Sequence, residues 1–193
     1  MSNRRLLVTG LSGAVGQAIR PALEARYDGA ARSRSGGSGL ADDLHVRGSI
    51  ADPESIRPAF KGVDSVVHLA ADGGVHSPTG MDADWASILD HHIVGTYNVF
   101  TAARDAGARR VVFASTGAVG LGYECEEPWL SLASGDAARL PESWPILTWD
   151  AEPKPHRLDA VSKLFGTEVI EPIPTQRGRT IHAALIDRLI LDF

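Results

Sequence analysis

The sequence is poor in cysteine and in long runs of a single chemical type. Cys125 is the one cysteine among 193 residues, which excludes an intrachain disulfide and a cysteine-rich metal site. No apolar run approaches the roughly 18 residues of a membrane span. The net charge is −5, and no long lysine or arginine run occurs. We therefore expect no membrane or nucleic-acid partner, and a single thiol is typical of the reducing cytoplasm.

The length and composition indicate one folded domain. Hydrophobic residues make up 44% and charged residues 22% of the chain, which is ordinary for a globular protein. The sequence shows no internal repeat and no linker that would divide it. We therefore predict a single domain over residues 1–193.

Short apolar runs alternate with amphipathic stretches along the chain. Clear strands are predicted at 6–8, 63–69 and 110–114, a late strand at 180–186, and weaker strands at 29–33 and 44–47. Helices are predicted over 84–106 and 158–170. This alternation predicts an α/β fold with a parallel sheet covered on both faces.

Two local signals refine this prediction. Asp52, followed by Pro53 and Glu54, is typical of a helix N-cap with proline at the first helical position. Residues 120–156 hold five prolines and three of the four tryptophans. A stretch of this kind predicts a loop-rich insertion, which we expect near the substrate site.

A glycine-rich turn follows the first predicted strand and opens the first helix. Gly10, Gly13 and Gly16 are spaced G-x-x-G-x-x-G, and Ser12, Ala14 and Val15 complete the turn. Glycine permits a tight turn and a close approach of the backbone to a pyrophosphate, and the helix N-terminus presents free amides to the anion. The strand–turn–helix context predicts a dinucleotide-binding loop.

The residues after the second predicted strand bear on the choice of cofactor. Arg32, Ser33 and Arg34 lie there, and the next acidic residue is Asp42. Arginine suits the 2′-phosphate of NADP, whereas an acid suits the 2′-hydroxyl of NAD. The sequence favours NADP, and NAD stays open because a solvated basic loop has the same composition.

Five ordered segments resemble one known family, the extended short-chain dehydrogenase/reductases of the NAD-dependent epimerase/dehydratase family. Within it, the chain is most similar to the uronate-dehydrogenase-like branch. The segments are TGLSGAVG (9–16), ADPESIRPAFKGVDSVVHLAA (51–71), HIVGTYNVFTAAR (92–104), RRVVFAST (109–116) and VSKLFG (161–166).

The resemblance implies a Rossmann fold, a doubly wound parallel sheet in three αβα layers, with NAD or NADP across the carboxyl ends of its strands. Residues 69–71, Leu-Ala-Ala, would line the adenine side. Ser49 and Ile50 stand where the family usually has an acid that contacts adenine.

The resemblance also implies a catalytic set. Thr116, with Ser115 beside it, matches the hydroxyl position after the fifth strand, where it would hydrogen-bond the substrate. Lys163 matches the lysine that binds the nicotinamide ribose and lowers the pKa of a catalytic tyrosine. That tyrosine position is Asp159 here, and His92 stands at the helper asparagine position.

Asp159 is the main departure from the family pattern. A carboxylate is ionised at pH 7, so it has no proton to donate, and it is shorter than tyrosine. One interpretation of Asp159 and Lys163 is an i,i+4 ion pair on a helix. Tyr123 and His92 are alternative proton-transfer groups, although a surface tyrosine and a hydrogen-bonded structural histidine are the more usual roles.

Three other chemistries find no support. His91 and His92 point in different directions on a helix, so together with His68 and His76 they predict no metal site. The residues before Ser115 lack the first glycine of a hydrolase elbow. Acidic neighbours disfavour a thiolate at Cys125.

The end of the chain is the second departure. Relatives usually continue about 80–150 residues beyond the last matched helix, whereas this chain ends at Phe193, and the resemblance fades from Thr167 onward. The sequence therefore predicts a C-terminally abbreviated fold. We expect an NAD(P)-dependent oxidoreductase or epimerase/dehydratase acting on a sugar, uronate or nucleotide sugar. A catalytically silent NAD(P)-binding homologue and a truncated enzyme are the alternatives. The resemblance further implies a homodimer through the 84–106 helix.

Overall fold

Three parallel strands form the described part of the sheet. The computed structural model describes residues 5–25, 48–71, 84–140, 142–143, 145–148 and 150–170. The strands lie in the order β1–β2–β3, and they are β1 (Leu6–Thr9), β2 (Ser65–His68) and β3 (Arg110–Phe113). All three match predicted strands. The strands predicted at 29–33, 44–47 and 180–186 lie outside the described residues.

Helical segments connect and cover these strands. In chain order they are α1 (Ala14–Glu24), α2 (Pro53–Ile56), a 3₁₀ turn (Arg57–Phe60), α3 (Trp85–Ser87), a π-helical segment (Ile88–Val94), α4 (Gly95–Asp105), a long 3₁₀ helix (Gly117–Cys125), α5 (Trp129–Ser134), a short 3₁₀ turn (Ala137–Arg139) and α6 (Leu158–Ile170). The bounds of α6 agree with its prediction.

The sheet buries apolar side chains on both faces. Leu7, Val66 and Val111 belong to a core cluster that also contains residues of α2 and α4 and takes in Val169 of α6. Leu6 and Val8 belong to a second cluster on the opposite face, packed against α1. Alternate residues of a strand point to opposite faces. The predicted three-layer αβα arrangement is therefore confirmed.

Aromatic residues fill the centre of the larger cluster. Phe100 and Phe113 are almost fully buried, and their ring centroids lie 5.5 Å apart in an edge-to-face arrangement. Burial of a phenylalanine side chain contributes roughly 1.5–3 kcal/mol. This contact joins α4 to β3 and fixes the helix over the carboxyl end of the strand.

The predicted 84–106 helix is present, but its centre is not α-helical. It begins at Asp84, whose side chain accepts from the backbone N–H of Ala86 at 3.2 Å. Residues Ile88–Val94 then form a π-helical segment before α4 completes the helix. Hydrophobic spacing over seven residues does not separate the two hydrogen-bonding patterns, so the sequence prediction missed this segment. π-helical turns are often found at functional sites.

Two further predictions concern caps and loops. The N-cap at Asp52 is confirmed, because its carboxylate accepts from the backbone N–H groups of Glu54 and Ser55 at 3.1 and 3.4 Å. The 120–156 stretch is less loop-rich than predicted, since it contains α5 and two 3₁₀ segments. Within the described ranges, no helix combines the length and apolar character needed to cross a membrane.

Candidate functional site

The carboxyl ends of the three strands meet at one edge of the sheet. Thr9 pairs in register with His68, and His68 pairs with Phe113. Ligands of doubly wound α/β folds bind outside this edge. The residues that follow each strand are therefore the candidate site.

Each of the three glycines after β1 is required for a different structural reason. Gly10 has a φ of +76°, and a Cβ there would lie 2.5 Å from the backbone nitrogen of Ala70. A Cβ on Gly16 would lie 2.5 Å from Cα of Leu11. A Cβ on Gly13 would meet only the carbonyl oxygen of Gly10, at 3.3 Å. The first glycine permits the turn, the third permits close packing, and the second avoids a tight contact between a Cβ and the Gly10 carbonyl oxygen.

The N-terminus of α1 presents unpaired amides at the same place. Gly13 is the N-cap and has no side chain with which to cap the helix. Its own N–H donates to the carbonyl oxygen of Gly10 at 3.0 Å. The amides of Ala14, Val15 and Gly16 have no intrahelical acceptor, because they belong to the first helical turn. Together with the helix dipole, they favour an anion.

The loop after β2 contacts this glycine turn directly. The backbone N–H of Leu69 donates to the carbonyl oxygen of Thr9 at 3.1 Å, and that of Ala70 donates to Thr9 Oγ1 at 3.3 Å. The structure thus brings Leu69 and Ala70 against Gly10 and Thr9, and the adenine-side role of residues 69–71 stays a prediction. Thr9 itself was not predicted.

Ser49 and Ile50 form the turn that leads into α2. Ile50 is buried, its carbonyl oxygen accepts from Asn98 Nδ2 at 2.9 Å, and its side chain fills the space above Gly95. Ser49 Oγ accepts from the backbone N–H of Ala51 at 3.3 Å. These contacts give Ser49 and Ile50 structural roles in the turn and in the core. Their contact with adenine stays a prediction. Arg32, Ser33 and Arg34 lie outside the described residues.

His68 is a neutral, fully buried histidine at the centre of the edge. Its Nδ1 lies 2.7 Å from Thr9 Oγ1, and its Nε2 lies 3.3 Å from Thr96 Oγ1. The pKa of His68 is lowered to about 3, mainly by burial and in addition by the charges of Lys163 and His92. Hydroxyls both donate and accept, so each ring nitrogen of the neutral imidazole is satisfied. Among the described residues, no group of three or more histidine, cysteine or acidic side chains forms a metal site.

Asp159 does not form the i,i+4 ion pair with Lys163, and that interpretation is wrong. Its carboxylate instead accepts from Nε and Nη2 of Arg157 at 3.0 and 2.9 Å. The pair is mostly buried, with 24% of the Arg157 side chain and 11% of the Asp159 side chain exposed. A bidentate pair of this kind has a fixed geometry. The two-residue spacing to Arg157 was the signal that pattern analysis overlooked.

Lys163 of α6 lies over the ring of Phe113, the last residue of β3. Its Nζ is 4.8 Å from the centroid of the Phe113 ring. Burial lowers the pKa of Lys163 to about 8, while the negative charge of Asp159 acts in the opposite direction. The aromatic face partly compensates the loss of water around the ammonium group.

His92 is hydrogen-bonded to α6. Its Nδ1 lies 3.0 Å from Ser162 Oγ, and Ser162 Oγ donates to the carbonyl oxygen of Asp159 at 2.7 Å. A serine hydroxyl has one proton, so toward His92 it accepts, and Nδ1 of His92 carries a hydrogen. Ser162 was not predicted, since serine inside an amphipathic helix gives no distinctive signal.

Ser115 and Thr116 follow β3 as predicted. Thr116 caps the long 3₁₀ helix, where its Oγ1 accepts from the backbone N–H of Ala118 at 3.2 Å. That bond occupies an oxygen lone pair and leaves the hydroxyl proton for another acceptor. Ser115 Oγ is buried and has no hydrogen-bond partner among the described residues. A buried hydroxyl of this kind is available to hydrogen-bond a ligand group or a water molecule.

Three contacts hold Tyr123 in place, so that it is not free to act as the alternative proton-transfer group. Its hydroxyl donates to the carbonyl oxygen of Glu152 at 3.0 Å, its ring packs edge-on against Trp129, and Lys154 Nζ lies 4.4 Å from the ring centroid. These three contacts give it the structural position that the sequence favoured over the alternative of swinging into the pocket.

Comparison with known proteins agrees with this geometry. The NAD dependent epimerase/dehydratase family matches residues 6–127. L-arabinose 1-dehydrogenase (NAD(P)(+)) of Haloferax volcanii is 36% identical over 169 residues, which cover 84% of this chain and 58% of that protein. The crystal structure of uronate dehydrogenase from Agrobacterium tumefaciens has a TM-score of 0.66 at 27% identity, covering 88% of this chain and 55% of that one.

A variant of the Agrobacterium enzyme complexed with NAD has a TM-score of 0.65 at 27% identity, covering 86% of this chain and 54% of that one. The chain therefore spans somewhat more than half the length of these relatives. The predicted likeness to the uronate dehydrogenase branch and the Rossmann-type fold are both confirmed.

Proposed function

Since the chain belongs to the NAD dependent epimerase/dehydratase family, we propose that it binds NAD or NADP across the carboxyl ends of its strands. We further propose that it acts on a sugar, uronate or nucleotide sugar, as an oxidoreductase or an epimerase/dehydratase. The observation that carries this proposal is the glycine turn, in which Gly13 carries no side chain beside the amides at the N-terminus of α1. The names of its relatives, an arabinose dehydrogenase and a uronate dehydrogenase, support the substrate class.

The residues of the chain fit such a cofactor. The amides of residues 14–16 would hold the pyrophosphate, with Ser12 exposed beside them. Leu69, Ala70 and Ala71 would line the adenine side with Ser49 and Ile50. Lys163 and His92 would lie on the nicotinamide side, where the unpaired Ser115 hydroxyl is also buried.

When bound, the dinucleotide supplies the two-electron acceptor or donor of the reaction. The chain's own residues orient the substrate. Thr116 donates its hydroxyl proton to a substrate oxygen while Ala118 holds its Oγ1 in place. Ser115 provides a second hydroxyl, and Lys163 provides a cation next to the ribose. The 120–156 segment begins four residues after Thr116, which supports its role near the substrate.

Calorimetry on the purified chain tests dinucleotide binding. NAD, NADH, NADP and NADPH are titrated into the wild type, Gly13→Val and Gly120→Val. A Cβ at Gly120 meets nothing within 4 Å, so it is the matched control. Gly13→Val is expected to weaken binding at least about tenfold, 1.4 kcal/mol, and the control to leave it unchanged. Absence of heat with all four dinucleotides on folded protein would reject the proposal.

The preference for NADP is a finer proposal. It is supported by Arg32 and Arg34 in the sequence, which suit a 2′-phosphate. The double variant Arg32→Ala/Arg34→Ala is expected to weaken NADP binding and leave NAD binding unchanged. Equal loss for both dinucleotides would contradict this preference.

We also propose a homodimer and a cytoplasmic location. Trp85 and Tyr97 on the long helix are 52% and 48% exposed, and Val161 on α6 is 48% exposed. These large side chains support helix-to-helix association of two copies. The cytoplasm is supported by the single cysteine, Cys125, which is exposed.

A further inference from the structure

We propose that the Nζ amine of Lys163 itself exchanges the proton with the substrate oxygen, in place of the side chain at position 159. The inference rests on the proposed function, because it names the proton-transfer group of that same site. It starts from three observations. Arg157 binds the carboxylate of Asp159, Lys163 lies over the last residue of β3, and the unpaired hydroxyl of Ser115 follows that residue.

Asp159 is unsuited to the proton transfer for a geometric reason. Both of its carboxylate oxygens accept hydrogen bonds from Arg157, at 3.0 and 2.9 Å. A bidentate pair with arginine fixes the position of the carboxylate and occupies both of its oxygens. Its backbone carbonyl is also occupied, since Ser162 Oγ donates to it at 2.7 Å. The pair with Arg157 turns Asp159 into a fixed negative charge near Lys163.

Lys163 and Ser115 lie on the same side of the sheet. Nζ of Lys163 is 4.8 Å from the Phe113 ring centroid. The β-ladder continues past Phe113, because the N–H of Ala114 donates to the carbonyl oxygen of His68 at 3.1 Å. Side chains alternate along an extended chain, so Ser115 follows Phe113 on the face covered by α6. A substrate oxygen bound by Ser115 therefore approaches the amine.

The charges around Lys163 set its protonation. The pKa of Lys163 is lowered to about 8, because burial lowers it more than the negative charge of Asp159 on the same helix raises it. His68 on β2 is held neutral, and its pKa is lowered partly by Lys163. His92 faces α6 from the π-helical segment through Ser162. An amine that titrates near the working pH is suited to both giving and taking a proton.

The remaining titratable groups on elements packed against α6 are engaged elsewhere or exposed. His91 bonds to Ser87, Arg104 pairs with Asp105, and Tyr123 donates to Glu152, whereas Asp90, Tyr97, Glu124 and Cys125 are exposed.

Proton exchange at Nζ of Lys163 conserves atoms and charge. In alcohol oxidation, the substrate O–H bond breaks and its proton forms an N–H bond with the neutral amine, which becomes the ammonium ion. The C–H bond of the same carbon breaks, and its hydrogen leaves as hydride with the electron pair, which a bound oxidised NAD or NADP would take up. In carbonyl reduction the ammonium ion returns the proton to the oxygen. No further oxidant, reductant or co-reactant is required.

Competitive acetylation of the apo chain measures the titration of Lys163 without any activity. The chain has three lysines, Lys61, Lys154 and Lys163, so each is followed by its own peptide in mass spectrometry. Lys154 is an internal control, because its hydrogen bond to Glu126 raises its pKa. Half-maximal reactivity of Lys163 is expected near pH 8, and Asp159→Asn is expected to move it to lower pH. If the acetylation of Lys163 rises over the same pH range as that of Lys154, the inference is overturned.

Turnover is then measured on uronic acids, L-arabinose and nucleotide sugars from pH 6 to 10. For oxidation, kcat is expected to fall as the pH drops below about 8, because the neutral amine is lost. Asp159→Asn should move this limb to lower pH, a shift that a purely structural role would not produce. Lys163→Arg keeps the positive charge, but arginine stays protonated from pH 6 to 10. The value of kcat should therefore fall by about 10²–10⁴, while dinucleotide binding is retained. Lys61→Arg, at an exposed residue, is the control.

Calorimetry in the same preparation separates two failures. Loss of dinucleotide binding in the wild type rejects the proposed function. A wild type that binds the dinucleotide but turns over no substrate, or a Lys163→Arg variant that remains active, overturns the role of Lys163. If Lys163→Arg does not fold, the shift of the pH limb in Asp159→Asn decides the question.

Discussion

Stability is expected to decrease between pH 7 and pH 5 because of one side chain, His68. This histidine is fully buried between Thr9, Thr96 and the rings of Phe100 and Phe113. Its pKa is lowered to about 3 in the folded chain, against an ordinary histidine value of 6.5. The unfolded chain therefore binds the proton at a pH where the folded chain does not. The free energy of unfolding is therefore highest above pH 6.5, and it decreases as the pH falls from 6.5 toward 3.

The magnitude follows from these two values. At pH 5 the unfolded histidine is almost fully protonated, which lowers the free energy of unfolding by about 2 kcal/mol relative to pH 7. At full protonation the loss reaches about 5 kcal/mol, at about 1.36 kcal/mol per pKa unit. A domain of this size loses roughly 2–4 °C in Tm for each kcal/mol. The expected change at pH 5 is thus several degrees.

Urea unfolding at pH 7, 6 and 5 measures this dependence. The matched variant is His68→Gln, which has a neutral amide between the two threonines and does not titrate. It is expected to be less stable than the wild type at pH 7 but to lose less stability on acidification. His156→Asn, at an exposed histidine, is the control. Equal pH slopes for the wild type and His68→Gln would refute the assignment of a neutral buried histidine.

Three other changes have definite expected outcomes. Gly16→Ala should lower the free energy of unfolding by about 1–3 kcal/mol, because its Cβ would meet the Leu11 backbone at 2.5 Å. Gly13→Ala should lower it less, because its Cβ would lie 3.3 Å from the Gly10 carbonyl oxygen, and chemical denaturation compares the two variants. Asp52→Ala should cost about 1 kcal/mol through loss of the α2 cap, measured in the same way against Asp52→Asn. Trp85→Glu should shift a dimer to monomer in sedimentation velocity with Tm retained, and an unchanged dimer would place the interface elsewhere.

Local patterns predicted the elements well where one signal decides the structure. The strands ending at Thr9, His68 and Phe113 are buried β-rich runs, and Asp52 carries a cap signature, so short-range chemistry was sufficient. The π-helical segment at 88–94 was missed, because its hydrogen-bonding pattern leaves no separate mark in the hydrophobic spacing.

The site was predicted less completely than the fold. The glycine turn was predictable, since each glycine has a steric reason that operates within the turn and its neighbour strand. The partner of Asp159 was predicted wrongly, because helical spacing names Lys163 while the chain before the helix supplies Arg157. The network of Thr9, Thr96 and Ser162 depends on contacts between distant elements, and hydroxyl residues carry no periodic signal that would reveal them.

The absence of a side chain at Gly166 sets the height of α6 above the sheet. A Cβ there would lie 2.5 Å from Cζ of Phe113 and 3.2 Å from Cγ2 of Thr96, so the helix rests directly on the aromatic ring. Lys163 is one turn earlier on the same helix, and its amine reaches the ring only at this spacing. A larger residue at position 166 would lift the helix, and the distance between the amine and the strand end would increase with it. The small size of Gly166 therefore determines how close the amine of Lys163 comes to the end of β3.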